Sequence, residues 1–256
     1  MESVHEGFPL ICCRNLSRRF AATTGVEGLD IALPQGSVCA FLGPNGAGKS
    51  TTVKLLTGQL RPDSGEATVA GWDVVRSPQE LKRCIGVLPD RLGLFDLLTV
   101  EEHLHMAGPI YGLSKIETES RTDELLHVLG LDSARYTYAD HCSHGTRKKT
   151  ALAMALLHNP RVLFLDEPFE GVDPMTSHII RDLLASLAVR GVTVFFTSHS
   201  LSLAERIATH AILLQKGRVV WNQPTSALPA TMEELYFDLI EAPNPQDLPW
   251  LGSHPS

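Results

Sequence analysis

The chain has 256 residues, of which 43% are apolar and 20% charged, and its formal net charge at pH 7 is −7. This length and apolar fraction suffice for one large α/β domain with a buried core and room for a subdomain. The acidic balance argues against a protein that coats nucleic acid, so no nucleic-acid partner is expected. The five cysteines form no C-x-x-C pair and no secretory signal opens the chain, which favours a reducing compartment. No apolar stretch reaches the roughly 18 residues that span a bilayer, so any membrane-spanning part would belong to another chain.

The opening of the chain is predicted to be an antiparallel sheet that leads into a loop rich in glycine. The helix after this loop is expected to continue to Arg61 and stop there, because Pro62 blocks its continuation. A turn is expected over residues 23–28, between the first two strands. Strands are predicted over residues 10–20, 29–33, 37–42, 66–70 and 84–88.

The loop between the apolar strand 37–42 and the following helix has the pattern G-x-x-x-x-G-K-S. In this pattern the glycines let backbone N–H groups turn toward an anion, and the helix N-terminus adds partial positive charge. Lys49 is expected to reach the β- and γ-phosphates of a nucleotide, and the Ser50 hydroxyl to bind Mg²⁺. The residues expected to contact the nucleotide are Gly43, Pro44, Asn45, Gly46, Ala47, Gly48, Lys49, Ser50 and Thr51.

The middle of the chain, about residues 91–159, carries helical signals and no strand signal. Thr99 and Glu102 have the spacing of a capping box at the start of one helix. We therefore expect a helical subdomain inserted between two strands of the central sheet. The basic run 147–149 is interpreted as a solvated helix face, and His103 with His105 as a solvated pair.

Strands and helices alternate after this insertion, as in a parallel sheet. The last helix is expected to end near residue 240, so that one domain covers residues 1–242 and a proline-rich loose tail covers 243–256. The predicted strands are 161–165, 192–196, 211–214 and 218–221, and the predicted helices are 173–189, 201–208 and 232–240.

Three polar side chains follow buried strands at the edge of the sheet where the phosphate-binding loop should also lie. Asp166 and Glu167 end the strand 161–165, and His199 follows the next strand. Ligands bind at the carboxyl ends of strands in open α/β sheets, so these groups should meet the phosphates. Asp166 is placed to hold Mg²⁺ through water, and Glu167 to polarise an attacking water. His199 is placed to donate a hydrogen bond to the γ-phosphate.

Together these motifs resemble the ATP-binding subunit of an ABC transporter over nearly the whole chain. The resemblance implies a P-loop NTPase fold of the α/β class: a mixed central sheet, an N-terminal antiparallel β-subdomain and an inserted α-helical subdomain. It implies ATP and Mg²⁺ as ligands, Glu167 as the catalytic carboxylate, and Lys49 and His199 as its partners in catalysis. Residues 171–174 resemble the segment that contacts a second subunit. Phe20 resembles the aromatic residue on which adenine stacks.

The segment 142–146 resembles the family's signature, in which Ser143 and Gly145 are kept while His144 and Thr146 depart from the usual residues. The resemblance implies that Ser143 and Gly145 act in trans, on nucleotide bound to another subunit. Two copies would then enclose two ATP molecules, so a second ATPase subunit is an expected partner, in a homodimer or a heterodimer.

Asp90 departs from the family, which usually has glutamine at this position as a ligand of Mg²⁺. Aspartate keeps an oxygen ligand, and its charge favours the metal, but its shorter reach requires water in between. The hypothesis is a working but altered metal contact, with Ser50, Asp90 and Asp166 as the metal ligands.

The preferred interpretation is an ATPase subunit on the cytoplasmic face of the cell membrane that powers a separate transmembrane permease, with export favoured over import. A soluble ABC-type ATPase of the translation or DNA-repair class is one alternative. A regulatory subunit with weak hydrolysis, the non-hydrolysing half of a heterodimer, is another.

Overall fold

A mixed six-stranded sheet forms the centre of the protein. The computed structural model describes residues 9–20 and 23–240. Five neighbouring strands of this sheet run parallel to one another, and the edge strand β10 (Arg218–Pro224) pairs antiparallel with its neighbour β9 (His210–Gln215). In spatial order after β10 the strands are β9 (His210–Gln215), β3 (Val38–Leu42), β8 (Thr193–Ser198), β7 (Val162–Leu165) and β6 (Ile85–Leu88).

A second, antiparallel sheet packs on one face of the central sheet. It joins Phe41, Phe164 and Phe195 of the central strands in one buried cluster. The predicted antiparallel sheet next to a mixed central sheet is thus confirmed, and with it the fold class. In spatial order its strands are β2 (Thr23–Leu33), β1 (Ile11–Phe20), β4 (Ser64–Val69) and β5 (Trp72–Asp73).

The predicted turn over residues 23–28 is wrong, because β2 already begins at Thr23 and pairs with Phe20 of β1. The strand tolerates its two glycines through irregular pairing: the register with β1 shifts at three places. At one of these irregular places Gly28 takes a positive φ of 63°. Glycine therefore serves here to bulge a strand rather than to end it.

Eight α-helices occur in the described residues. The first ends at Leu56 instead of near Arg61, since Gly58 takes a left-handed conformation with φ at +69°. The amide of Gln59 then donates to the carbonyl of Lys54, which closes the helix six residues before the proline. The helices are α1 (Lys49–Leu56), α2 (Pro78–Cys84), α3 (Val100–Ile110), α4 (Lys115–Val128), α5 (His144–Leu156), α6 (Pro174–Val189), α7 (Leu201–Ile207) and α8 (Met232–Leu239).

Between β6 and β7 the chain forms α3, α4 and α5, with two short 3-10 turns and no strand. The capping box of Thr99 and Glu102 begins α3, as predicted. The prediction of a solvated histidine pair is wrong, because His103 is fully buried. Its Nε2 accepts a hydrogen bond from the amide of Phe95 at 2.9 Å, and its Nδ1 lies 2.7 Å from the carbonyl of Thr99.

The basic run 147–149 was expected to face solvent along a helix. Lys148 and Lys149 are instead buried in α5, with 4% and 8% of their surface exposed. They point toward neighbouring backbone carbonyls, which a helical periodicity alone does not reveal.

The parallel strands bring their carboxyl ends to a common edge. This edge carries the loop after β3, the acidic pair after β7, the histidine after β8 and the segment after β6. Among the described residues, no helix has the length and apolar character that a membrane crossing requires. The proposed tail, residues 243–256, lies outside the described residues, and the domain bounds stay a prediction.

Candidate active site

The loop after β3 lines a cavity of about 630 Å³. Its three glycines have positive φ values, and Gly48 directly precedes α1 with φ at +111°. A Cβ on Gly48 would lie 2.6 Å from Val26 and 2.8 Å from the carbonyl of Gly25, so this position needs glycine. All residues of the predicted phosphate-binding set line the cavity except Gly43 and Ala47, which are buried beneath it.

Lys49 lies at the start of α1 with 7% of its surface exposed. Its ammonium donates a hydrogen bond of 2.8 Å to the carbonyl of Gly43 and lies 3.9 Å from Oε1 of Glu167. Burial lowers the pKa of Lys49, while Glu167, Asp166 and Glu170 act in the opposite direction. The ammonium therefore stands between the loop and the carboxylates, where an anionic phosphate would meet it.

Asp166 directly follows β7 and is buried, with 8% of its surface exposed. The hydroxyl of Thr197 donates to its Oδ1 at 2.7 Å. The same Thr197 oxygen accepts a hydrogen bond from the amide of Glu167 at 2.9 Å. One hydroxyl on β8 thus orients both acidic residues, and it leaves the second carboxylate oxygen of Asp166 available for a ligand.

Glu167 takes a left-handed backbone conformation, with φ at +48°. Such a conformation costs about 1–3 kcal/mol at a non-glycine residue and persists only where its surroundings enforce it. Its side chain is 12% exposed. Burial is the main cause that raises its pKa to about 7, the Lys49 ammonium opposes this shift, and Glu170 and Asp166 add to it. A carboxyl group that titrates near neutral pH is suited to proton transfer.

His199 follows β8 and faces Glu167. Its amide donates to Oε2 of Glu167 at 3.2 Å. Its Nε2 lies 3.0 Å from Oε1, but without the alignment of a hydrogen bond. In the part of the chain that the structure describes, no group donates a hydrogen bond to Oε1, although this atom is buried. Burial and the Lys49 charge lower the pKa of His199, so its ring is neutral at pH 7.

The donor chemistry of the cavity fits Mg²⁺, the metal that the family resemblance implies. Ser50, Asp90 and Asp166 line the same space with a hydroxyl and two carboxylates. Within residues 9–20 and 23–240, no three His, Cys, Asp or Glu side chains form a metal-binding group. Mg²⁺ is commonly held by one or two carboxylates together with water and substrate phosphates. A site with only a hydroxyl and two carboxylates from the protein therefore suits this ion.

Phe20 lies at the other end of the cavity, at the close of β1, and its ring is 42% exposed. The Arg18 guanidinium lies 5.5 Å from the ring centroid. Asp63 holds this guanidinium through a hydrogen bond of 2.6 Å. An exposed ring fixed in this way offers a flat apolar face for stacking.

Ser143 and Gly145 do not line this cavity. Ser143 caps α5 by accepting a hydrogen bond from the amide of Thr146 at 3.2 Å. Gly145 lies in the first turn of α5, where a Cβ would come within 3.1 Å of Thr176 and 3.2 Å of Asp173. Asp173 in turn caps α6 through the amide of Thr176. The signature-like segment and the segment 171–174 therefore form one exposed surface away from the chain's own phosphate-binding loop.

Sequence reasoning missed Thr197, Glu170 and Lys148. Thr197 orients the acidic pair, Glu170 lines the cavity, and Lys148 contacts the turn that carries Glu167. The position of Thr197, two residues before His199 on a strand next to β7, was a usable signal for the first of these. Nothing local to the basic run signalled that Lys148 would turn inward.

The amino-acid sequence matches a family model described as ABC transporter over residues 26–170. The daunorubicin/doxorubicin resistance ATP-binding protein DrrA of Streptomyces peucetius is 36% identical over 217 residues, which cover 85% of this chain and 66% of that protein. The bacitracin transport ATP-binding protein BcrA of Bacillus licheniformis is 32% identical over 236 residues, which cover 92% of this chain and 72% of that protein. The chain thus spans about two thirds of these relatives.

Two solved structures share the fold. An ATP-binding subunit of an ABC transporter superposes with a TM-score of 0.83 at 30% identity, covering 90% of this chain and 99% of that one. An ATP-binding cassette in a dimeric post-hydrolysis state with ADP and Pi gives a TM-score of 0.78 at 22% identity, covering 85% of this chain and 100% of that one. With the family model matched over more than half of the sequence, the chain belongs to the ABC transporter family, among its ATP-binding, ATP-hydrolysing proteins.

Proposed function

We propose that this protein is the ATP-binding and hydrolysing subunit that powers a separate transmembrane permease in export. The observation that carries the proposal is the side chain of Glu167 in the cavity of the phosphate-binding loop. One of its carboxylate oxygens is buried near Lys49 and accepts no hydrogen bond from any residue that the structure describes. Relatives named for daunorubicin/doxorubicin resistance and for bacitracin transport favour the export of drug-like compounds. The protein would then bind its permease on the cytoplasmic face of the cell membrane.

In the proposed reaction, water attacks the γ-phosphorus of ATP while the bond to the β-phosphate oxygen breaks, which leaves ADP and inorganic phosphate. Glu167 accepts the proton of the attacking water, which its pKa near 7 permits. Lys49 balances phosphate charge, and the neutral His199 ring donates a hydrogen bond to the γ-phosphate. Phe20 stacks on the adenine.

Mg²⁺, when bound, neutralises charge on the β- and γ-phosphates. Ser50 and Asp166 would hold it, with Asp90 contributing through water. Ser143 and the amide of Gly145 would contact ATP bound to a second ATPase subunit, in a homodimer or a heterodimer. A dimeric ATP-binding cassette with the same fold supports this arrangement.

The test is ATP hydrolysis by the purified chain. We expect turnover that needs Mg²⁺, is lost on chelation, and falls by about 10²–10⁴-fold in Glu167→Gln, the range typical of a lost general base. ATP binding should persist in this variant, since Glu167 does not hold the phosphates. The surface variant Glu233→Gln on α8 should keep wild-type turnover. A wild-type chain that binds ATP without hydrolysing it would identify a regulatory subunit instead.

A further inference from the structure

Helix α5 connects two parts of the proposed machinery. Its N-terminus carries Ser143 and Gly145, and its second turn passes beneath the turn that begins at Glu167. Lys148 makes this second contact, and only 4% of its surface is exposed. A side chain expected to face solvent is therefore buried directly under the proposed catalytic residue.

The Lys148 ammonium donates two hydrogen bonds of 2.7 Å, one to the carbonyl of Glu167 and one to the carbonyl of Glu170. Among the described residues, no carboxylate oxygen lies within ion-pair distance of it. Two short charge-assisted bonds to carbonyls thus satisfy a buried cation that has lost most of its contact with water. An arrangement of this kind fixes a backbone turn in space.

The backbone held in this way is the strained one. Glu167 has φ at +48°, a conformation that its surroundings must enforce. Its amide is held by the Thr197 hydroxyl at 2.9 Å, and its carbonyl by Lys148 at 2.7 Å. Both sides of the residue are tied to different elements, β8 and α5, so the backbone from which the carboxylate extends is fixed.

We propose that Lys148 is a positioning residue for hydrolysis, which holds the Glu167–Glu170 turn in its strained form and ties it to α5. This inference rests on the proposed function, in which Glu167 activates water. It has a further consequence: the carboxylate that serves the chain's own ATP and the Ser143 end that serves a partner's ATP are joined through one side chain.

The neighbouring Lys149 provides a matched control. It lies on the same helix with 8% of its surface exposed, and its ammonium donates to the carbonyl of Gly130 at 3.2 Å, away from the catalytic turn. Lys148→Met and Lys149→Met therefore remove the same charge and the same length of polar side chain. Only the first releases the Glu167–Glu170 turn.

The experiment compares kcat, KM for ATP and deuterium uptake of the segment 166–171 in the full chain. In Lys148→Met we expect kcat to fall roughly ten- to a hundredfold, because small displacements of a catalytic group cost this much. KM should stay within about threefold, since the phosphate-binding loop is untouched. Uptake in the segment should rise, and Lys148→Arg, which keeps a charged donor, should recover part of kcat.

Lys149→Met should keep kcat within about threefold of the wild type even where it loses thermal stability. The inference is overturned if Lys148→Met and Lys149→Met have equal kcat and equal uptake in residues 166–171. Should Lys148→Met not fold, Lys148→Gln takes its place in the same comparison, with the same two outcomes. Failure of the proposed function looks different, since the wild-type chain itself would then not hydrolyse ATP.

Discussion

Glu167 combines a strained backbone with a carboxyl group whose proton is held unusually tightly. Its pKa is raised from 4.5 to about 7, mainly because burial disfavours the charged form. Strained or poorly solvated residues are frequent in functional sites, where they lower the stability of the fold but give a side chain the orientation or pKa that the reaction needs. The same property makes the stability of the folded chain depend on pH in a predictable direction.

We predict that Glu167→Gln is more stable than the wild type above pH 7. The folded state keeps the Glu167 proton up to about pH 7, whereas the unfolded chain releases it near 4.5. The protonated Glu167 carboxyl therefore contributes to the free energy of unfolding of the wild type fully below pH 4.5, and this contribution is lost as pH rises through 7. Glutamine never ionises, so its advantage should be roughly 2–4 kcal/mol at pH 8 and near zero at pH 4.5.

Urea unfolding of both proteins at the two pH values measures this difference. Glu233→Gln, which changes an exposed side chain on α8, should follow the wild type at both. An advantage of Glu167→Gln that is the same at pH 4.5 and pH 8 would contradict the assigned cause.

Asp90 follows β6 and reaches the cavity from an exposed position. We predict that Asp90→Gln raises the Mg²⁺ concentration for half-maximal hydrolysis, because one negative charge near the metal is lost, while kcat changes by no more than about threefold. Hydrolysis measured against Mg²⁺ at saturating ATP tests this prediction. The control is Asp96→Asn, which removes an exposed carboxylate near the same loop. A much faster Asp90→Gln would instead show that Asp90 suppresses turnover.

At the scale of elements, the close approach of α3 and α4 depends on one glycine. A Cβ on Gly108 would lie 2.2 Å from Oγ1 and 2.5 Å from Cγ2 of Thr118, a buried residue on α4. The Thr118 hydroxyl is itself held by the carbonyl of Ser114 at 2.9 Å, so it cannot move aside without losing a bond. The helical part of the molecule is therefore packed around this contact.

We predict that Gly108→Ala destabilises the chain by about 1–3 kcal/mol, the usual cost of overpacking. Thermal unfolding should show a lower Tm, while ATP affinity remains, because the phosphate-binding loop lies elsewhere. Ile110→Ala on the same helix changes a side chain that is 74% exposed and should alter stability by no more than about 0.5 kcal/mol. An unchanged Tm in Gly108→Ala would mean that α3 and α4 do not approach each other this closely at Gly108 and Thr118.

At the scale of the whole molecule, the proposed site is divided between two chains. Ser143 is exposed and Gly145 is buried next to it in α5, and neither residue lines the chain's own cavity. We predict that ATP-loaded Glu167→Gln, which binds without turnover, has twice the mass of the monomer. Mass determination by light scattering after size-exclusion chromatography tests this.

Adding Ser143→Arg to Glu167→Gln should restore the monomer, since the larger side chain would occupy the space of the partner's phosphates. ATP affinity of the single chain should not change in this double variant. A monomer of Glu167→Gln at saturating ATP would count against the shared site.

The features of this protein whose geometry is local could be predicted from the amino-acid sequence alone. The phosphate-binding loop is contiguous, its glycines and Lys49 have a fixed spacing, and its neighbouring strand and helix follow from apolar periodicity. The position of Asp166 and His199 at the same edge of the sheet as the loop also followed, because parallel strands present their carboxyl ends at one edge. The element boundaries were less accurate, as β2 and α1 show, since glycine can continue a bulged strand and can end a helix early.

Which side chains support the reactive ones depends on tertiary packing. Lys148 and Thr197 act on Glu167 from α5 and β8, 19 and 30 residues away along the chain. A basic run on a helix is compatible with solvent or with burial, and the choice depends on whether another element presents carbonyl acceptors to it. Here the strained turn presents the carbonyls of Glu167 and Glu170, so the lysine is buried, and no pattern within α5 carries that information.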